Sequence, residues 1–323
     1  MKAIRIGKYG GPEVLRLQDV ELPAPGLGQV RIRLMAAGLN FIDIYQRRGE
    51  YPVPLPYTPG HEGAGIVEAV GDKVSGFKAG DRVAYTGHLG AYAEASIVPA
   101  RILIPLPDDL SFEQGAAFPL QGMTAHYLIH EYRPPKPGDT VLIHAAAGGM
   151  GLLLVQWVKR LGARVIGTTS TQEKAQAARE AGADAVILYT EQDFVAGTKR
   201  VTDGRGADLI IDGVGKTTFA GSLEAAAVRG HVVLYGFASG PAAPLDPNSL
   251  VSRSISVSGG NLHNFMRTRE ELMRRASDVL RGIRKGWLRL RIDTVFPLAE
   301  AAEAHRRLES RESAGKILLK TEA

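Results

Sequence analysis

VLIHAAAGGMGLLLVQ, residues 141–156, passes from a short apolar run through a turn of alanines and glycines into a second apolar run. The first run has the length of a buried strand. The second continues as GLLLVQWVKRLG, with apolar residues at helical spacing and a glycine, Gly162, at its end. A glycine pattern gains weight when a strand precedes it and a helix follows. Ala146, Gly148 and Gly151 occupy the three fingerprint positions, with Ala where the first Gly usually stands. The first position lets the chain turn tightly, Gly148 lets backbone approach a pyrophosphate, and Gly151 lets helix and strand pack closely. Gly149 and Met150 complete the turn. The helix start then offers free N–H groups and a partial positive charge to a phosphate. These residues predict a dinucleotide site.

From residue 139 the segments alternate. DTVLIHAA, ARVIGTTS, DAVILY, ADLIIDGVG, GHVVLYGF and SISVSGGN read as strands; TQEKAQAAREAG and TFAGSLEAAAVRG read as helices between them. Strands spaced by helices of this length predict a parallel sheet wound on both faces, an α/β fold. Upstream of Gln121 the texture is different: short alternating runs such as QVRIRLMAAGL, GAGIVEAVG, DRVAYTG and AYAEASIV are broken by Pro and Gly, which predicts a β-rich domain. Between the two, EQGAAFPLQGMTAHYLIHEY predicts a helix kinked at Pro119, opened by Ser111 and Gln114 at capping-box spacing. Residues 268–286 predict an amphipathic helix with Thr268 and Glu271 at the same spacing. PLAEAAEAHRRLES and GKILLK predict a closing helix and strand that rejoin the first domain.

The chain has 323 residues, long for one core, with 45% hydrophobic and 23% charged residues and a net charge of +5. That charge fits a small anionic ligand and is a weak argument for nucleic acid. No apolar leader and no apolar stretch near the length of a membrane span is visible, so the expectation is a cytoplasmic protein without membrane contact. Cysteine is absent. Disulfides, thiol nucleophiles and every cysteine-ligated metal centre are excluded together. No nucleophile elbow or hydrolytic Ser/His/Asp pattern is evident either.

An NAD site would place Asp or Glu about twenty residues beyond the second glycine. Here the strand ends in Thr168, Thr169 and Ser170, and Lys174 follows one turn into the helix. Hydroxyls and a cation suit a ribose 2′-phosphate, and a charge-assisted contact of about 1.5–3 kcal/mol is enough to choose NADPH over NADH. Glu173 is the one residue there of the wrong sign.

GDTVLIHAAAGGMGLLLVQWVKRLGARVIGTTSTQEK, with LNFIDIYQRRGEYP and PLQGMTAHYL upstream, resembles the NADPH:quinone oxidoreductases. With zeta-crystallin, these form the zinc-free branch of the medium-chain dehydrogenase/reductases. The resemblance implies a GroES-like β domain from residues 1–124 and 265–323 and a Rossmann domain from 125–264. It further implies an active cleft between them and a homodimer joined through the Rossmann sheet edge. The pattern N-x-x-D-x-Y maps onto Asn40, Asp43 and Tyr45, with Tyr51 in the next matching segment. By resemblance these four are the catalytic candidates: Asn40 toward the nicotinamide ribose or carbonyl, Asp43 orienting its neighbours, and Tyr45 or Tyr51 donating to the reduced oxygen. Cofactor contacts are implied for Thr124, Tyr189, Val214, Gly215, Gly236 and Phe237, in addition to Ser170, Lys174 and the glycine turn. SVSGGNLHNF lacks the basic residue that some relatives carry near the cofactor.

Zinc-using relatives ligate metal through a Cys where Asn40 stands, a His where His61 stands, and a second Cys further on. TPGHEGAGIVEAVGDKV, residues 58–74, retains only His61 and Glu62 of that pattern. A site of His61, Glu62 and Asp43 would be a new arrangement, and the expectation is no metal. Without a Lewis acid the acceptor must already be electrophilic, as quinones and α,β-unsaturated carbonyls are. A double-bond reductase of enones or enoyl thioesters is the nearest alternative. A non-catalytic NADPH-binding or RNA-binding protein, using the arginines of 268–285, is a more distant one.

Overall fold

In the computed structural model, which describes residues 1–321, the chain divides into two units. One comprises Met1–Gln121, Met266–Ala276 and the chain from Ile292 onward; the other comprises Gly122–Phe265 and Ser277–Arg291. The division falls within the long helix Arg269–Arg284. Residues 277–291 therefore pack with the dinucleotide-type unit and not, as expected for all of 265–323, with the β-rich one. Val279 lies against Gly122, where a Cβ would stand 2.7 Å from its Cγ1.

The second unit is built on six parallel strands in the order Ala185–Leu188, Arg164–Thr169, Thr140–Ile143, Ala207–Asp212, Ala226–Leu234, Ser256–Gly259. Counted along the chain this is 3-2-1-4-5-6, the doubly wound order. Leu142, Ile166, Ile187, Ile210 and Val232 form its buried core. Strands covered on both faces need such continuous apolar runs. The order reverses between Thr140–Ile143 and Ala207–Asp212, and ligands bind such sheets beyond the carboxyl ends at that point. The glycine-turn helix, Gly149–Arg160, and the next, Gln172–Glu180, follow the first two strands.

Two expectations fail locally. The helix read over 218–230 covers only Phe219–Ala225. From Ala226 the chain is strand, because Ala226 pairs with Ala207 of the neighbouring strand, and Arg229 takes φ 62° beside Gly230. Sheet pairing overrides the helix propensity of the alanines. A helix not read, Phe194–Val201, is started by the Asp193 side chain, which accepts from the Ala196 N–H at 2.8 Å.

The first unit centres on a sheet in the order Ile292–Pro297, Lys316–Lys320, Gln29–Gly38, Glu62–Val70, Arg82–Thr86, Ile104–Pro105, with Ala95–Pro99 also on Gln29–Gly38. The strand Gln29–Gly38 alternates, burying Val30, Ile32, Leu34 and Ala36. It runs directly into the helix Phe41–Arg48. Asp43 starts that helix by accepting from the Asn40 N–H at 2.8 Å, and Gly49 ends it at φ 82°. The expected kink at Pro119 is a full break: Phe112–Ala117 and Pro119–His130 are separate helices with Phe118 between them. The capping boxes at Ser111/Gln114 and Thr268/Glu271 are both formed. Among the described residues no helix is long and apolar enough to cross a membrane.

Candidate active site

At the glycine turn, backbone conformation and space explain the residue types. The tight residue is Ala145, at φ 50°, and the Gly148 N–H donates back to its carbonyl at 2.9 Å. Ala146 N–H donates to Thr168 O at 3.0 Å, tying the turn to the neighbouring strand end. A Cβ on Gly167 would stand 2.6 Å from the Ala146 Cβ, so Ala fits the first fingerprint position because Gly faces it. Gly151 is forced by packing, since a Cβ there would sit 2.2 Å from Ala145 O. Gly148 is different. Its φ of −72° suits any residue, and within 4 Å a Cβ would meet only Ala145 O, at 3.3 Å. What its glycine leaves open is the ground before the helix start, where Gly149 and Met150 form the first turn. A pyrophosphate fits there.

Ser170 and Lys174 flank the end of the adjacent strand. Thr171 caps the helix carrying Lys174, accepting from the Lys174 N–H at 3.3 Å. Tyr189 leaves the next strand end, its N–H on Thr169 O at 3.1 Å, and Thr190 Oγ1 donates to Ser170 O at 2.9 Å. Ser170, Lys174 and Tyr189 thus occupy neighbouring strand ends. Thr168 and Thr169 are buried, with Thr169 Oγ1 facing Thr171 O at 3.5 Å. Glu173 turns onto its own helix start, where its backbone N–H and the Thr171 hydroxyl hold the carboxyl below its usual range.

The later strand ends interlock. Ser239 N–H donates to Val214 O at 2.8 Å and Ala238 N–H to Gly213 O at 3.2 Å, which sets Gly236 and Phe237 beside Val214 and Gly215. Gly215 needs its glycine, at φ 86° with Phe237 Cβ 3.2 Å from where a Cβ would be. Thr124 lies buried in the helix Pro119–His130.

In the first unit, Asn40 is 4% exposed and fixed by charged partners. Its Oδ1 accepts from Lys316 Nζ at 2.7 Å, and its Nδ2 donates to Glu62 Oε1 at 2.7 Å. Lys316 also pairs directly with Glu62, whose other oxygen accepts the Leu120 N–H at 2.7 Å. Both ions are buried, so each compensates the other. Asp43 is fully buried. Its Oδ2 accepts from Asn40 N and, at 3.2 Å, from Tyr92 Oη. Burial pushes its carboxyl up to about 7, against the pull of the Asn40 N–H and Lys316. Tyr45 and Tyr51 form an edge-to-face pair with centroids 5.8 Å apart. Tyr45 is buried and Tyr51 is 45% exposed. Burial and Glu50 raise the Tyr51 hydroxyl, which keeps it protonated at neutral pH.

The contact of Lys316 with Asn40 and Glu62 is not anticipated from the sequence, where GKILLK reads simply as a strand. That strand, Lys316–Lys320, has a lysine at each end, the first buried and the last exposed, and nothing local marks which of them is drawn inward. His61 Nε2 lies 2.8 Å from Gln46 Oε1, and Glu62 is committed to Lys316, Asn40 and Leu120. Among the described residues no group of three His, Asp or Glu side chains is placed to hold a metal ion. On the arginine-rich helix, Arg275 is buried and Arg281 pairs with Asp278, while Arg269, Arg274 and Arg284 are exposed.

The first unit carries an alcohol dehydrogenase GroES-like domain over residues 26–108, and a zinc-binding dehydrogenase domain matches residues 149–278. Fold and glycine turn together define a dinucleotide-dependent dehydrogenase/reductase of the medium-chain type. A quinone oxidoreductase of Pseudomonas aeruginosa is 44% identical over 321 residues, covering 98% of this chain and 99% of that one. A 2-haloacrylate reductase of Burkholderia is 41% identical, covering 98% of both. The crystal structure of Escherichia coli quinone oxidoreductase complexed with NADPH superposes with a TM-score of 0.96 at 40% identity, covering 99% of this chain and 100% of that chain. The chain belongs to the quinone oxidoreductase family.

Proposed function

We propose that the chain is a metal-independent, NADPH-dependent quinone reductase. The observation that carries this reading is the strand end with Ser170 and Lys174, where an NAD site would present a carboxylate. The relatives support it: one is a quinone oxidoreductase at 44% identity and another was crystallised with NADPH.

The bound reduced nicotinamide supplies the hydride. The chain's own residues do the rest. Gly148, Gly149 and the helix start hold the pyrophosphate; Ser170 and Lys174 hold the 2′-phosphate, with Tyr189 beside them; Val214, Gly215, Gly236 and Phe237 line the later strand ends. Thr124 serves the nicotinamide end. Asn40 presents an amide whose orientation Lys316 and Glu62 dictate. Tyr51, the more exposed of the tyrosine pair, donates the proton that joins the hydride to give hydroquinone, and Tyr45 backs its ring. Asp43 positions the helix start and touches no substrate. Quinones stabilise added hydride by conjugation, so hydrogen bonds and approach geometry are what the protein must add.

The metal-free reading rests on donor chemistry. A divalent cation at Glu62 would lie against the ammonium of Lys316, and like charges at such range in a buried site are strongly unfavourable. The expected homodimer forms along the outer edge of Ser256–Gly259, the last strand of the sheet order. Sedimentation at micromolar concentration tests it, and a monomer there would refute it. The partner is a small quinone or enone rather than nucleic acid, in the cytoplasm.

The 2-haloacrylate reductase relative favours a second reading, reduction of an activated double bond. Steady-state kcat/KM for a quinone and an enone, at matched concentrations with NADPH, separates the two. A clearly higher value for the quinone supports the first reading; a higher value for the enone replaces it with the second.

A further inference from the structure

Beneath the glycine turn of the second unit lies a continuous buried chain of polar side chains. His144, the last residue before the turn, places Nδ1 3.1 Å from Thr168 Oγ1 and Nε2 3.0 Å from Ser222 Oγ. Ser222 Oγ donates to Asp212 Oδ2 at 3.1 Å. Asp212 Oδ1 in turn accepts from the N–H groups of Val214 and Gly215, at 2.8 and 3.1 Å, and from Thr218 Oγ1 at 2.8 Å. His144, Thr168, Ser222 and Asp212 are all buried, and the Phe194 ring closes edge-on over the imidazole at 4.8 Å.

The proton positions follow from donor counting. Asp212 receives four donors. The single Ser222 proton points to it, so toward His144 the serine offers only lone pairs. Nε2 therefore carries the imidazole proton. Burial lowers the His144 pKa, which keeps the ring neutral and leaves Nδ1 as an acceptor. The Thr168 hydroxyl must then donate inward to Nδ1. The order is Thr168 to His144 to Ser222 to Asp212, each donating to the next. The serine, not the histidine, contacts the carboxylate, and its hydroxyl is inaccessible. This is not a hydrolytic triad.

Three of its four members sit on different parts of the dinucleotide site: His144 at the glycine turn, Thr168 at the strand end before Ser170 and Lys174, Asp212 under Val214 and Gly215; Ser222, on the helix Phe219–Ala225, joins His144 to Asp212. We propose that the Thr168–His144–Ser222–Asp212 chain is a positioning relay that fixes these three turns against one another for cofactor binding. By taking the Thr168 proton inward it leaves Ser170 and Lys174 as the donors to the 2′-phosphate. The inference rests on the dinucleotide reading of the site.

The test compares Thr168→Val, which removes the hydroxyl at constant shape, with Thr168→Ser, which keeps it. Thr168→Val should raise the KM for NADPH about tenfold while kcat at saturation stays within about twofold, and Thr168→Ser should restore the wild-type KM. Ser222→Ala, the second variant should Thr168→Val fail to fold, should shift KM in the same way. Nitrogen NMR of the histidine rings, with His144 assigned by loss of its signals in His144→Gln, should show a neutral ring protonated at Nε2. A wild-type KM in folded Thr168→Val and Ser222→Ala, or a ring protonated at Nδ1, would overturn the relay. Fluorescence titration of the wild type with NADPH keeps the two ideas apart. Absence of binding there refutes the dinucleotide reading itself, whereas normal binding with unmoved variants refutes the relay alone.

Discussion

Lys316 Nζ and Glu62 Oε1 grip the Asn40 amide from opposite atoms, the ammonium on Oδ1 and the carboxylate on Nδ2, each at 2.7 Å. The amide cannot flip without turning its N–H group onto an ammonium. In the zinc-using relatives of the branch that this sequence resembles, a cysteine ligand stands where Asn40 does. Here a buried ion pair organises it.

Removing half of that pair exposes its role. Lys316→Met strands the Glu62 carboxylate and should lower unfolding free energy by about 3–5 kcal/mol, read from urea denaturation. Lys316→Met combined with Glu62→Gln should recover most of the loss. An unchanged midpoint in the single variant would mean that the pair contributes nothing.

The fit of Ala146 to Gly167 predicts a paired substitution. Gly167→Ala puts a Cβ 2.6 Å from that of Ala146 and should cost about 1–3 kcal/mol, with weakened NADPH binding. Adding Ala146→Gly should relieve the clash. Thermal unfolding and NADPH titration of both variants check this, and equal damage in single and double variants would count against it.

Charge reversal at the ribose end separates the cofactors. Lys174→Glu should raise the KM for NADPH by at least tenfold and leave that for NADH nearly unchanged, because only NADPH carries the 2′-phosphate. Equal effects on both would remove Lys174 from that contact.

Asp43 predicts an unusual pH dependence. Its carboxyl is pushed up to about 7 in the fold, above the unfolded value of 3.8. Between these values the folded chain holds a proton that the unfolded chain has released. Unfolding therefore releases a proton, and the contribution of Asp43 to stability falls as pH rises through this window. The groups facing it are Asn40, Tyr92, Lys316 and Glu62. Urea unfolding across this range should show the stability advantage of wild type over Asp43→Asn shrinking with pH; a constant difference would contradict the assignment.

The fold class was legible because the second unit advertises itself: short apolar runs, helices of crossover length, and a strand–turn–helix at Ala146–Gly151. Less was legible where tertiary pairing decides. Ala226–Arg229 look helical by composition but are pulled into the sheet by Ala207. The helix Phe41–Arg48 went unread although Asn40, Asp43 and Gly49 supply its start and stop. Lys316 lies 276 residues from Asn40, and no local pattern reports a contact made by a closing strand returning to the first sheet. The direction of the His144 chain depends on contacts among His144, Thr168, Ser222 and Asp212, which lie on separate segments of the sequence.

Metal-free hydride transfer from NADPH is tested by NADPH oxidation with benzoquinone as acceptor, on protein dialysed against a chelator, with NADH in parallel. Rapid turnover that prefers NADPH and is unaffected by the chelator is the predicted result. Turnover that appears only after zinc is restored would contradict it, and would return His61 and Glu62 to the role of metal ligands.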